Sequence, residues 1–181
     1  VGPMPQYALA AQLINEERLS LAHVHTFNMD EYASESGVTA PASWPGSFQR
    51  AMLERFFALV DPELRPPESQ IHFPTRDALS SYSSRIEDLG GADVCYGGIG
   101  WCGHIAFWES HLGEEFAGDL EAYKQAGSRL VQLHRCAAQQ VFGLDVTQAL
   151  DAALAFTQFV DGGYGQHRQA RAAGQLQRAP A

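Results

Sequence analysis

Residues 97–109 read GGIGWCGHIAFWE, a glycine cluster that runs into a histidine with a carboxylate five residues further on. Glycines at a strand end let backbone N–H groups come close to a ligand, so Gly97, Gly98, Gly100 and Gly103 are candidate binding positions. The imidazole of His104, with a reference pKa of about 6.5, can take or give a proton near neutral pH. Glu109 can orient that imidazole or share its proton. The competing reading is a tight strand-to-helix turn holding a hydrogen-bonded histidine. Upstream, residues 26–32 read TFNMDEY, a short apolar run that breaks into two adjacent acids. Where a buried strand emerges, one of Asp30 and Glu31 can point into a crevice and the other away from it. A carboxylate beside a carbon next to a carbonyl is a general base for enolisation. The competing reading of this pair is a solvated strand end or a helix N-terminal acid.

Metal is a further possibility, because Cys102, His104, Glu109 and His111 offer nitrogen, sulfur and oxygen within ten residues. None of their spacings is a recognised zinc pattern and no second cysteine pair exists, so no metal is expected. Cys102 beside His104 could serve as a nucleophile, although alternation along an extended segment does not guarantee contact. The remaining histidines, His23, His25, His72, His134 and His167, are scattered and read as structural or exposed.

The elements that must carry these residues alternate. Tyr7, Ala10, Leu13 and Ile14 predict a helix over 5–17, and residues 22–27 predict a buried strand ending at Asn28. Residues 33–45, rich in Ser, Gly, Thr and Pro, predict a loop. Ser47 caps a helix through Val60, with Phe48, Met52, Phe56 and Leu59 on one face. A short strand over 70–73 follows the prolines at 62, 66 and 67. Thr75 then caps a helix with Leu79, Tyr82, Ile86 and Leu89 inward, closed by Gly90 and Gly91 in a left-handed C-cap. Residues 92–96 predict the strand that delivers the glycine cluster; 129–133 predict another, followed by a helix over 134–142. This order implies an α/β fold, a mostly parallel sheet with helices on both faces. In such sheets ligands sit at the carboxyl ends of neighbouring strands, where the two acid and histidine segments would meet.

With 181 residues, 45% hydrophobic and 18% charged, the chain suits one soluble α/β domain over 1–160. The glutamine-, alanine- and arginine-rich stretch over 161–181 predicts a disordered tail. A formal net charge of −9 argues against nucleic acid, and no run approaches the ~18 apolar residues of a membrane span. Three irregularly spaced cysteines, Cys95, Cys102 and Cys136, suit reduced thiols in a cytoplasmic protein. A start at Val1, opening almost at once on a helical pattern, predicts a fragment lacking its natural beginning.

TFNMDEY and GGIGWCGHIAFWE, in this order and at this separation, resemble the glucosamine-6-phosphate deaminase (isomerase) family over residues 3 to 148. That resemblance implies a Rossmann-like fold and an enzyme that opens the sugar ring, isomerises aldose to ketose and releases ammonia, with no redox cofactor. It also implies a small-molecule sugar-phosphate ligand, with a homo-oligomer left open. By position it implies that Asp30 shuttles a proton between C2 and C1, that His104 assists ring opening and that Glu109 is its carboxylate partner. The chain departs from the family's pattern at several places, and of the Gly/Thr-rich loop before the first helix only Val1-Gly2-Pro3 remains. Cys102 stands where the family has an acid, and a thiol with pKa of about 8.5 cannot replace that charge at pH 7. Trp108 replaces a smaller asparagine and is expected to reshape the sugar pocket. Gln140 stands where a phosphate-binding arginine is expected, and the closing strands have no evident counterpart after Gln148. These departures keep two alternatives open: a 6-phosphogluconolactonase-like hydrolase, which shares a Gly-His motif, and a non-catalytic sugar-phosphate-binding regulator or inactive remnant.

Overall fold

The structure, a computed structural model, describes residues 4–100, 103–133 and 154–157. Among the described residues, four α-helices and five strands form an α/β architecture with open sheets, in keeping with the expected class: α1 Met4–Glu16, β1 Thr26–Phe27, β2 Asp30–Ala33, α2 Phe48–Arg55, β3 Ile71–His72, α3 Leu79–Asp88, α4 Leu120–Gln125, β4 Arg129–Gln132 and β5 Leu154–Thr157. β1 and β3 pair in parallel, Phe27 opposite His72, with α2 in the crossover between them. The other three strands make an antiparallel sheet in the order β2-β5-β4, in which Asp30 and Arg129 both lie opposite Thr157.

Several elements sit where the residue pattern puts them. Ser47 is the N-cap of α2, its hydroxyl oxygen accepting from the Arg50 N–H. Gly90 and Gly91, at φ +88° and +89°, close the turn after α3. Others differ. The strand expected over 22–27 shrinks to Thr26–Phe27, because Leu21 and Val24 are part-buried at a spacing of three and a turn joins them, Val24 N–H to the Leu21 carbonyl at 2.9 Å. α2 ends at Arg55 and gives way to a 3₁₀ turn at Phe57–Leu59, which turns both Phe57 and Val60 into the core. No strand forms over 92–96: Val94 and Tyr96 are exposed and no described strand lies alongside them to complete a ladder. β2 falls partly in the expected loop, and β5 supplies a closing strand beyond Gln148 that the sequence did not disclose. The helix expected over 134–142, Cys136, Gln140 and the tail over 161–181 lie outside the described residues.

Two apolar clusters hold these elements. Ala11, Val60 and Leu64 pack with Ile14, Leu21 and Phe56 beneath α1. The larger cluster joins Tyr32, Ala106, Phe107, Trp108, Leu112, Val131 and Leu133. Three of its members, residues 106–108, lie between His104 and Glu109, so the core itself anchors the segment that bears the candidate chemistry. Burial of such side chains contributes about 1.5–3 kcal/mol each.

Candidate active site

Asp30 and Glu31 divide as adjacent strand residues should, one to each face of β2. Glu31 is fully buried and spends its carboxylate on structure. It accepts from the Ser47 hydroxyl at 2.8 Å and from the Phe48, Gln49 and Tyr32 N–H groups at 3.1, 2.8 and 2.9 Å. A buried anion at the N-terminus of α2 is stabilised by those donors and by the helix dipole. It docks the helix on the strand that carries Asp30. The strand's approach is pinned from the other side by α3, where the buried Tyr82 hydroxyl lies 2.9 Å from the carbonyls of both Asn28 and His72.

Asp30 reaches the second motif. Its Oδ1 accepts the Phe107 N–H at 3.1 Å, so the aspartate of TFNMDEY and the turn of GHIAFWE are joined directly. Tyr32 reinforces the junction, its ring centroid 5.5 Å from that of Phe107 and 4.7 Å from that of Phe48. Burial, and then the neighbouring Asp30 and Glu31 charges, push the Tyr32 phenol far above its usual range and keep it neutral.

His104 and Glu109 meet across a tight turn. Trp108 N–H donates to the Ile105 carbonyl at 3.2 Å, and Ala106 adopts the left-handed conformation at φ +52°. The residues flanking that turn are brought face to face: His104 Nδ1 lies 3.1 Å from Glu109 Oε1. Glu109 is 3% exposed, so the pair is shielded from water and electrostatically stronger than a surface pair. A carboxylate oxygen accepts, so a hydrogen bond at this distance needs a proton on Nδ1, the tautomer in which the lone pair of a neutral ring is on Nε2.

The glycines do different jobs. A β-carbon at Gly100 would lie 2.1 Å from His104 Nε2, so the imidazole occupies the space that any other residue's side chain would need. The amides of Gly100 and Gly103 close the turn itself, donating to the His104 and Gly100 carbonyls at 2.8 and 2.9 Å, and Gly103 sits at φ +79°. These two N–H groups therefore build the loop and are spoken for, contrary to the expectation that all four glycines offer amides to a ligand. Gly97 lies over the Met29 and Ile105 side chains, and Gly98 borders open space. Residues 101 and 102, with the Trp–Cys departure from the family pattern, lie outside the described residues.

Trp108 is buried in the larger apolar cluster. It is buried among Tyr123 and Phe116, at centroid distances of 5.1 and 6.4 Å, with the Arg129 guanidinium 5.9 Å over its ring. Among the described residues no three acid, thiol or imidazole groups converge as a metal-binding set. Residue types alone also missed a pairing of two histidines read as scattered. His25 Nδ1 lies 3.3 Å from His72 Nε2, and Gln70 holds the other His25 nitrogen at 3.0 Å. The parallel pairing of β1 with β3 creates it, and no local pattern could have shown it.

No family model matches the chain. Among curated proteins it is similar to the glucosamine-6-phosphate deaminase of Tolumonas auensis, 35% identical over 113 residues, which is 59% of this chain and 39% of that enzyme. The enzyme of Phocaeicola vulgatus is 33% identical over 114 residues, 60% of this chain and 40% of that protein. Glucosamine-6-phosphate deaminase 2 of Giardia intestinalis is 36% identical over 113 residues, again 59% of this chain and 40% of the relative. The chain thus spans about two fifths of the length of the curated relatives it matches. A solved monomeric glucosamine-6-phosphate deaminase shares the fold, with a TM-score of 0.63 at 20% identity over 99% of this chain and 73% of that one. The chain is therefore similar in sequence to glucosamine-6-phosphate deaminases over about three fifths of its length, and it shares the fold of a solved one.

Proposed function

We propose that this chain carries the proton-transfer centre of a sugar-phosphate isomerase/deaminase acting on an amino-sugar phosphate such as glucosamine 6-phosphate. The hydrogen bond from Phe107 N–H to Asp30 Oδ1 is the observation that carries the reading, because it joins the two motifs in space. His104 Nε2 takes the proton of the C1 hydroxyl and the ring oxygen is protonated as the sugar opens. Asp30 then removes the C2 proton and returns it to C1, leaving a C2 imine that water hydrolyses to the ketose and ammonia. Glu109 holds His104 in the tautomer that leaves Nε2 basic. No redox cofactor enters, since hydrogen moves within one molecule as a proton. Gly97 and Gly98, whose amides the loop turn does not use, are the candidate contacts for a sugar hydroxyl. A cytoplasmic place fits this substrate class; among the described residues no helix is long and apolar enough to cross a membrane. Homo-oligomerisation and a single domain over 1–160 belong to the same proposal.

Ammonia release from glucosamine 6-phosphate tests it. The wild-type protein turns over, and Asp30→Asn, which keeps an acceptor for Phe107 N–H, lowers the rate by about 10²–10⁴-fold. Undiminished release by Asp30→Asn removes the assigned shuttle. Binding of the sugar phosphate without turnover favours the regulator, the reading that Cys102 in place of an acid supports.

A further inference from the structure

Glu109 has two imidazole neighbours, one on each carboxylate oxygen. Oε1 faces His104 Nδ1 at 3.1 Å, and Oε2 faces His111 Nδ1 at 4.0 Å, an ion-pair distance and too long for a hydrogen bond. His111 is itself held from behind, its Nε2 3.1 Å from the Gln132 carbonyl oxygen on β4. A carbonyl only accepts, so Nε2 must carry a proton. In the neutral ring that leaves a lone pair on Nδ1 directed at a carboxylate oxygen, which repels; in the protonated ring both nitrogens donate and the contact attracts. The other charged groups on the two elements that carry this contact are Glu114, Glu115 and Arg129, of which Glu115 and Arg129 pair with each other.

We propose that His111 is a positioning residue for the His104–Glu109 pair: anchored to β4 through Gln132, it fixes the far oxygen of Glu109 so that the near oxygen accepts from His104 Nδ1. His111 touches no reacting atom. It acts through Glu109, as outer partners of a functional histidine commonly do, and loss of such partners costs about 10–100-fold in activity at metal-bound histidines. The catalytic part of this proposal rests on the isomerase/deaminase reading, whereas the tautomer it predicts for His104 does not.

Both are read in one experiment on the 181-residue chain labelled with ¹⁵N-histidine, with His104 assigned by loss of its signals in His104→Gln. Long-range ¹H–¹⁵N spectra of the wild type are expected to show His104 protonated at Nδ1 and bare at Nε2. In His111→Gln, whose amide still donates to the Gln132 carbonyl, His104 is expected to become a mixture of tautomers, with kcat down about tenfold and KM within twofold. An unchanged His104 signature in His111→Gln overturns the positioning role, whether or not the protein turns over. His111→Phe, which loses the donor as well, is expected to shift the tautomer further; an unchanged signature there overturns the role equally. If the wild type releases no ammonia, the functional reading falls and the tautomer comparison still decides the role of His111.

Discussion

Gly100 shows how narrowly single residues set this site. His104 Nε2 lies in the space a β-carbon would fill, so Gly100→Ala must push the imidazole away from Glu109 or distort the loop. A displacement of about 1 Å at a catalytic group can cost 10²-fold. Gly100→Ala is therefore expected to lower kcat by about that factor with the fold retained, measured as ammonia release together with circular dichroism. The neighbouring acids were separable by reasoning on strand alternation alone: one carboxylate to the crevice, one away. Which was which, and that Glu31 would be fully buried at a helix N-terminus, depended on where α2 comes to rest. The histidine pair of β1 and β3 was likewise invisible to local spacing, since His25 and His72 are 47 residues apart in the chain. Trp108 stands beside a site motif in the chain, and the structure adds what spacing does not show, its packing against Tyr123 and Phe116.

At the scale of elements, the docking of α2 on β2 carries Asp30. Four donors converge on Glu31, and hydrogen bonds to a charged acceptor contribute about 1.5–3 kcal/mol each. Glu31→Ala strands the Ser47 hydroxyl and three N–H groups in a dry site. We expect it to lose about 3 kcal/mol or more in urea unfolding, and to lose activity through the displacement of β2 and its Asp30. A stability change within about 0.5 kcal/mol would remove this anchoring role. Helices α1, α2 and α3 were legible because apolar spacing, the Ser47 cap of α2 and the glycines after α3 are local signals, although α3 takes its N-cap at Ala78 and not at the expected Thr75. The short strands were not. β2 and β5 hold four residues each and pair across more than a hundred residues of chain, and strand preference depends on such partners more than on local composition. Residues 92–96 carry the composition of a buried strand and stay exposed, for the same reason in reverse.

Across the molecule, the parallel pair and the antiparallel sheet are joined by residues 28–29, the short link between β1 and β2 that leads into Asp30. The parallel pair brings a pH dependence with it. Burial, then the charge of His25, then that of Arg85, hold the His72 imidazole below its ordinary value. The unfolded chain then binds more protons than the folded one between that depressed value and about 6.5. The associated stability is present above about pH 6.5 and lost as the pH falls through the folded value. His72→Phe keeps the stacking on Phe27, seen at 4.3 Å, and removes the titration. It is expected to flatten the acid limb of a stability profile, and an identical limb would exclude His72 as its source. The sequence similarity to the deaminases and the hydrogen bond that joins the two motifs both support the central claim of the proposal, that Asp30 and His104 work together. A double-mutant cycle on ammonia release tests that most directly. Asp30→Asn and His104→Gln are each expected to lower kcat/KM by about 10² or more, with the double variant no slower than the worse single one. Fully multiplicative losses, or either single variant turning over at the wild-type rate, would contradict it.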